Sequence, residues 1–106
     1  MERLDNLRYE IEVPLTFSGD AIAGSGFITS FSSKGCHVVS EESPPVRACL
    51  SIQVQLPDPH EPLTIEVAEV RWTTAMGFGL NFMHVHAEEQ ARLQRFIDWL
   101  KRTHNN

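Results

Sequence analysis

The feature that most constrains this chain is a two-residue rhythm that recurs from segment to segment and then gives way to another period. In residues 9–17, "YEIEVPLTF", Tyr9, Ile11, Val13, Leu15 and Phe17 fall on one face, and Glu10, Glu12, Pro14 and Thr16 on the other. Successive side chains of an extended chain point to opposite sides, so the segment reads as a strand buried on one face. Pro14 among the outward residues marks an edge position or a bend. Ala48, Leu50, Ile52, Val54 and Leu56 repeat the pattern. In "LTIEVAEVRW" the phase slips: Leu63, Ile65 and Val67 point inward first, then Val70 and Trp72, which predicts a β-bulge near Ala68 and Glu69. "GFITSF", "CHVVS" and "FGLNFMHV" supply the remaining strands.

Connections are legible by their turn residues. "SGDAIAGSG" (18–26), the run from Ser32 to Gly35, "EESPPVRA", "PDPHEP" and "TTAMG" read as turns or loops. After the last strand the period changes. From residue 87 to 102, Leu93, Phe96, Ile97 and Leu100 recur at helical spacing, with Glu88 and Glu89 placed to complement the positive end of the helix dipole. The expected fold is mainly β: a small six-stranded antiparallel β-barrel, which closes its own edges, with a C-terminal α-helix over one opening. The expected organisation is a single domain over residues 1–106, with a flexible tail at 1–8, the barrel at 9–85 and the helix at 87–102.

Composition narrows function by exclusion. The 106 residues suit one domain with a real core. A net charge of -5 argues against a DNA- or RNA-binding module, while leaving room for a small anionic ligand held by a few arginines. No apolar run approaches a membrane span and "MERLDNLRYE" has no signal-peptide core, so membrane insertion is not expected and a cytoplasmic location is. Cys36 and Cys49 lack a CxxC spacing; a disulfide between them stays open, without the pattern of a secreted scaffold.

Local constellations give little catalytic signal. Cys36 precedes His37, but neighbours in a strand face opposite ways, which spoils a nucleophile and base pair and leaves Cys36 for the core beside Val38. His84 and His86, two apart, share a face at a spacing able to bind zinc; no third and fourth ligand at suitable spacing is evident, so no metal site is expected. Trp72, Phe78 and Phe82 are assigned to the core, and Trp99, off the helix stripe, to a partner-facing or tail-facing position. Neither paired carboxylates nor a phosphate-cradling glycine loop is present, and no enzyme activity or cofactor is expected.

In order and spacing, several motifs resemble those of the PilZ domain family, over roughly residues 3–100. They are an arginine-bearing tail ("ERLDNLR") ahead of the first strand, the Ser-x-Ser-x-x-Gly stretch from Ser30 to Gly35, and "VAEVRW" followed by "GFGLNF" and a closing helix. The resemblance implies binding of cyclic di-GMP, a bacterial second messenger, through Arg-x-x-x-Arg in the tail and Asp/Asn-x-Ser-x-x-Gly at a strand. The chemistry is sound on its own terms. Arginine's planar fork suits phosphate oxygens and the O6/N7 edge of guanine, an Asp or Asn acceptor suits the opposite guanine edge, and glycine admits close backbone approach.

Both motifs depart from the family pattern. Arg3 and Arg8 stand five apart instead of four, and Leu4 occupies the first arginine position when Arg8 is taken as the second. Ser32 and Gly35 match, but Ser30 replaces the Asp/Asn, and the loss of one well-aligned bond is worth about 1–3 kcal/mol, or one to two decades in affinity. The ligand residues implied are Arg3, Arg8, Ser30, Ser32 and Gly35, with Gly35 setting the turn through a positive φ. The expected function is a cyclic di-GMP receptor that orders its tail over the barrel and alters a surface for an unidentified protein partner. The alternative is a PilZ-like adaptor that binds no nucleotide and acts through protein contacts alone.

Overall fold

The computed structural model describes residues 8–57 and 61–104. Six antiparallel strands, β1 (Tyr9–Ser18), β2 (Ala23–Phe31), β3 (Gly35–Val39), β4 (Cys49–Val54), β5 (Leu63–Thr74) and β6 (Gly77–His84), precede one helix, α1 (Ala87–His104). They close into a barrel in the order β1-β2-β3-β6-β5-β4. Closure follows from the alternation: each strand has one apolar face, and wrapping six of them buries all those faces together while pairing both outer edges.

The interior holds the predicted phase. Leu15, Phe17, Ile28, Ile52, Val54, Leu63, Ile65 and Val70 are all buried, and the Phe17 and Phe78 rings meet edge to face at 5.2 Å. α1 lays Leu93, Phe96, Ile97 and Leu100 against the barrel, with Phe96 edge-on to Phe31 at 5.3 Å. Its first two turns are tied down by hydrogen bonds as well as by packing. Glu89 Oε1 accepts from the Thr64 N–H at 3.2 Å, and Arg92 donates to the Pro62 carbonyl at 3.2 Å. No helix among the described residues is long and apolar enough to cross a membrane.

The structure corrects four details of the sequence reading. First, much of the supposed connection at 18–26 is strand: Ala23 to Gly26 pair with Ser18 to Leu15, so only a tight turn remains, closed by Gly19 N–H donating to Ile22 O at 2.7 Å. Ladder bonding outweighs the turn propensity of these small residues. Second, the phase slip of β5 falls between Val67 and Ala68, and a second register shift separates Val70 from Trp72. Third, that second shift turns Trp72 outward, so it is 40% exposed instead of buried. Fourth, Gly35 does not adopt a positive φ, and no described glycine does. Its requirement is close approach, because a Cβ there would run into the Leu80 carbonyl of β6.

Other expectations meet simple outcomes. Pro14 sits opposite Phe27 of β2, just before the β4 ladder begins at Leu15, and its carbonyl still accepts the Gln55 N–H at 2.9 Å, so the strand end tolerates a residue with no N–H to donate. Cys36 is buried, Cys49 is exposed, and both are free thiols. Burial pushes the Cys36 thiol up to about 12, against a smaller opposing pull from Arg8. A thiol so held is protonated and inert at neutral pH.

Candidate functional site

Where β2 turns into β3, residues 32–35 form a compact hydrogen-bonded unit. The Ser32 N–H donates to Gly35 O at 2.9 Å. Ser32 Oγ accepts from the Lys34 and Gly35 N–H groups, each at 3.2 Å, and donates to Gly35 O at 3.3 Å. With two acceptances and one donation the hydroxyl is saturated, and the residue is only 3% exposed. Serine at this position builds the turn. The Phe82 N–H donates to Lys34 O at 2.8 Å, which pins the turn to β6.

Beside this turn lies a polar cavity of about 400 Å³, within the size range of small-molecule sites. Its residues come from four places in the chain. Arg8 enters from just ahead of β1, Ser32, Lys34, Gly35 and His37 from the turn and the β3 strand it opens, Arg71 and Trp72 from β5, and Asn81 from β6. Register explains the meeting, because Gly35 pairs with Asn81 and His37 with Gly79 across the β3–β6 ladder. Trp72 in turn pairs with Gly79 from the other side. Gly79 has no side chain, and the Trp72 indole fills the space where its Cβ would stand. That lets the tryptophan lie across β6 and meet His37 edge to face, 4.9 Å between centroids.

Electrostatics at the cavity favour an anion. Arg8, Lys34 and Arg71 line it, and no Asp or Glu does among the described residues. Arg71 also stands 3.7 Å from Glu69, a long contact between an exposed guanidinium and a half-buried carboxylate, of little energetic weight. Desolvation, with Arg8 as a second cause, lowers the His37 pKa below its ordinary 6.5, so the ring is neutral at pH 7. A partly exposed indole, a neutral imidazole and fixed guanidinium groups together offer stacking for a planar ring and charge for a phosphate.

Of the residues expected from sequence, Arg8, Ser32 and Gly35 come together here. Ser30 does not line the cavity: it is half-buried in β2, between Glu10 on β1 and His37 on β3. Arg3 and the rest of the expected tail through residue 7 lie outside the described residues. Sequence reasoning missed His37, Arg71, Trp72 and Asn81 as site residues. For Arg71 a signal existed, since it is the outward residue of "VRW"; Trp72 was hidden because it shares the phase of buried Val70. A second cavity, of about 250 Å³, lies between Leu56 and Pro57 on one side and Arg92, Phe96 and Trp99 of α1 on the other, and contains none of the motif residues.

Residues 2–99 match the family model of the PilZ domain. The chain belongs to the PilZ family. PilZ domains are a cyclic di-GMP receptor family, and they are receptor or adaptor modules. Among solved structures, this PilZ domain is similar to the Bacillus subtilis Inhibitor of motility (MotI/DgrA), with a TM-score of 0.79 and 16% sequence identity. The superposition covers 100% of this chain and 55% of that one, so the domain spans about half the length of its structural neighbour. At that identity the likeness speaks for the fold alone. No curated protein matches the sequence.

Proposed function

We propose that this PilZ domain is a cyclic di-GMP receptor with an eroded guanine-edge contact. The observation that carries the reading is the convergence of Arg8 with the 32–35 turn, Arg71 and Trp72 on one cavity free of acidic lining residues. In this reading Arg8 holds a phosphate or a guanine O6/N7 edge, assisted by Arg71, and Trp72 with His37 gives the base a stacking wall. Ser32 and Gly35 serve by shaping the turn that forms the cavity's floor. Arg3 and the tail close over the bound nucleotide, and the ordering entropy of those residues lowers the affinity. The closed tail presents a changed surface to a protein partner.

One observation favours the adaptor reading. Ser30, which stands where the family carries Asp or Asn, does not reach the cavity, and the Ser32 hydroxyl is spent inside its own turn. The guanine edge opposite the arginines therefore lacks the acceptor that the family motif supplies at position 30. Calorimetric titration with cyclic di-GMP separates the two readings. Binding that weakens in Arg8→Ala and strengthens in Ser30→Asp supports an eroded receptor. No heat up to ~100 μM ligand, roughly -5.5 kcal/mol, sinks the receptor reading and leaves the adaptor.

A further inference from the structure

Outside that cavity, the exposed faces of β5 and β6 carry a second cluster of polar side chains. Val67 pairs with His84, so the antiparallel register puts Glu66 opposite residue 85, between the two histidines. The result is a convergence that linear spacing does not reveal. His84 Nε2 and His86 Nε2 lie 3.1 and 3.0 Å from the same oxygen, Glu66 Oε1. One ligand atom from each of the three residues falls within 4.8 Å of the others. The imidazoles meet edge to face, 5.3 Å apart at an interplanar angle of 78°, so that their nitrogens, not their faces, converge on the carboxylate.

Two imidazoles and one carboxylate form a His2Glu donor set, which suits borderline divalent ions of the first transition row better than Mg²⁺ or Ca²⁺. Ligand atoms on a tetrahedron about 2.1 Å from an ion stand roughly 3.4 Å from one another. The two N···O separations to Glu66 are a few tenths of an ångström short of that, an opening that exposed side chains make without moving backbone. All three side chains are accessible to water, which gives the ion an entry path and supplies its remaining ligand. We propose that Glu66, His84 and His86 bind one divalent transition ion, with Zn²⁺ as the representative species. Coordination takes the Nε2 lone pairs, so both imidazoles bind as Nδ1–H tautomers and the shared carboxylate becomes a ligand instead of an acceptor. The ion ties β5 to the end of β6 and to the entry of α1, where the His86 carbonyl accepts the Gln90 N–H at 2.7 Å. The site is independent of the nucleotide reading.

The test is titration of the whole chain with Co²⁺ followed by displacement with Zn²⁺, read by visible absorption and calorimetry. The expected result is a stoichiometry of one, a cobalt spectrum lost on adding Zn²⁺, and a melting temperature raised by Zn²⁺. His84→Ala and His86→Ala each weaken binding by at least about tenfold, since even changes behind a ligand cost that much. Glu66→Gln weakens it as well. The exposed thiol of Cys49 is the competing donor, so Cys49→Ser is expected to bind as the parent does, and so is Arg8→Ala. All three ligand positions are on the surface, and circular dichroism of the variants confirms their folding before titration. No cobalt spectrum and no Zn²⁺ heat at ~100 μM overturns the proposal. So does affinity unchanged in both histidine variants, or affinity lost in Cys49→Ser.

Discussion

The floor and the rim of the cavity are built on different principles, although some of their residues are neighbours in the chain. The floor, formed by the 32–35 turn and the strand β6 beneath it, is fixed by backbone: Ser32 Oγ bonds only to main-chain groups, and Gly35 is set by the Leu80 carbonyl. The rim is made of long side chains, Arg8, Arg71 and Trp72, all exposed. A backbone-defined floor cannot change without cost to folding, whereas the rim can drift in sequence with the barrel intact. The substitutions that separate this chain from the family pattern, at Leu4 and Ser30, leave the Ser32 and Gly35 floor in place.

The largest effect that sharpens this contrast is at Gly35. A Cβ there meets backbone in β6, which cannot rotate away. Gly35→Ala is expected to cost about 3 kcal/mol, the upper range for overpacking, read as a lower midpoint in urea denaturation. Stability unchanged to within ~0.5 kcal/mol would show that the floor yields, and would erase the distinction from the rim. Ser32→Ala comes next. It strips two N–H groups of their acceptor in a buried turn and is expected to cost about 1–2 kcal/mol. Arg8→Ala, by contrast, is expected to stay within ~0.5 kcal/mol of the parent in stability, even as it lowers affinity for any anionic ligand.

Gly79 gives the same substitution a different obstacle. The atoms a Cβ would meet there belong to the Trp72 indole, a side chain that is 40% exposed and free to swing outward. Gly79→Ala is therefore expected to cost only about 1 kcal/mol, and that cost is expected to vanish in a Trp72→Ala background. A double-mutant cycle measures the coupling directly. A Gly79→Ala penalty that persists without the indole would place the obstacle in backbone and not in the rim's tryptophan.

The same division sets what was legible in the sequence. Alternation around Leu15, Ile52 and Val54 and the stripe Leu93, Phe96, Ile97 and Leu100 follow directly from burial, and the barrel with its closing helix was readable from them. The slip expected near Ala68 and Glu69 was also visible, within a residue or two of its place between Val67 and Ala68. The second shift, between Val70 and Trp72, left no mark, because a tryptophan in phase with a buried valine reads as core whichever way it turns. Arg8, Ser32 and Gly35 were reached through motif resemblance. His37, Arg71 and Asn81 were not, since they come together only by register across β3, β6 and β5. The reason for Gly35 was misread for a related cause: a collision with a strand 45 residues away, at Leu80, has no local signature.

The smallest effect tests whether the rim is electrostatically joined. Burial first and Arg8 second hold the His37 pKa below 6.5. Because the folded ring resists protonation more than the unfolded one does, its contribution to stability is present above pH 6.5 and is lost as pH falls through the folded value. The ring is partly solvated, so this share of acid sensitivity is slight and is better read at the ring itself. An NMR titration is expected to give a His37 midpoint below 6.5 in the parent chain. In Arg8→Ala the midpoint should rise part of the way back, and only part, since desolvation is the larger cause. A bound phosphate should raise it too, by neutralising the same guanidinium. A midpoint indifferent to Arg8→Ala would mean that Arg8 does not stand over the cavity in solution, and the rim would lose the cation on which its affinity for an anion chiefly depends.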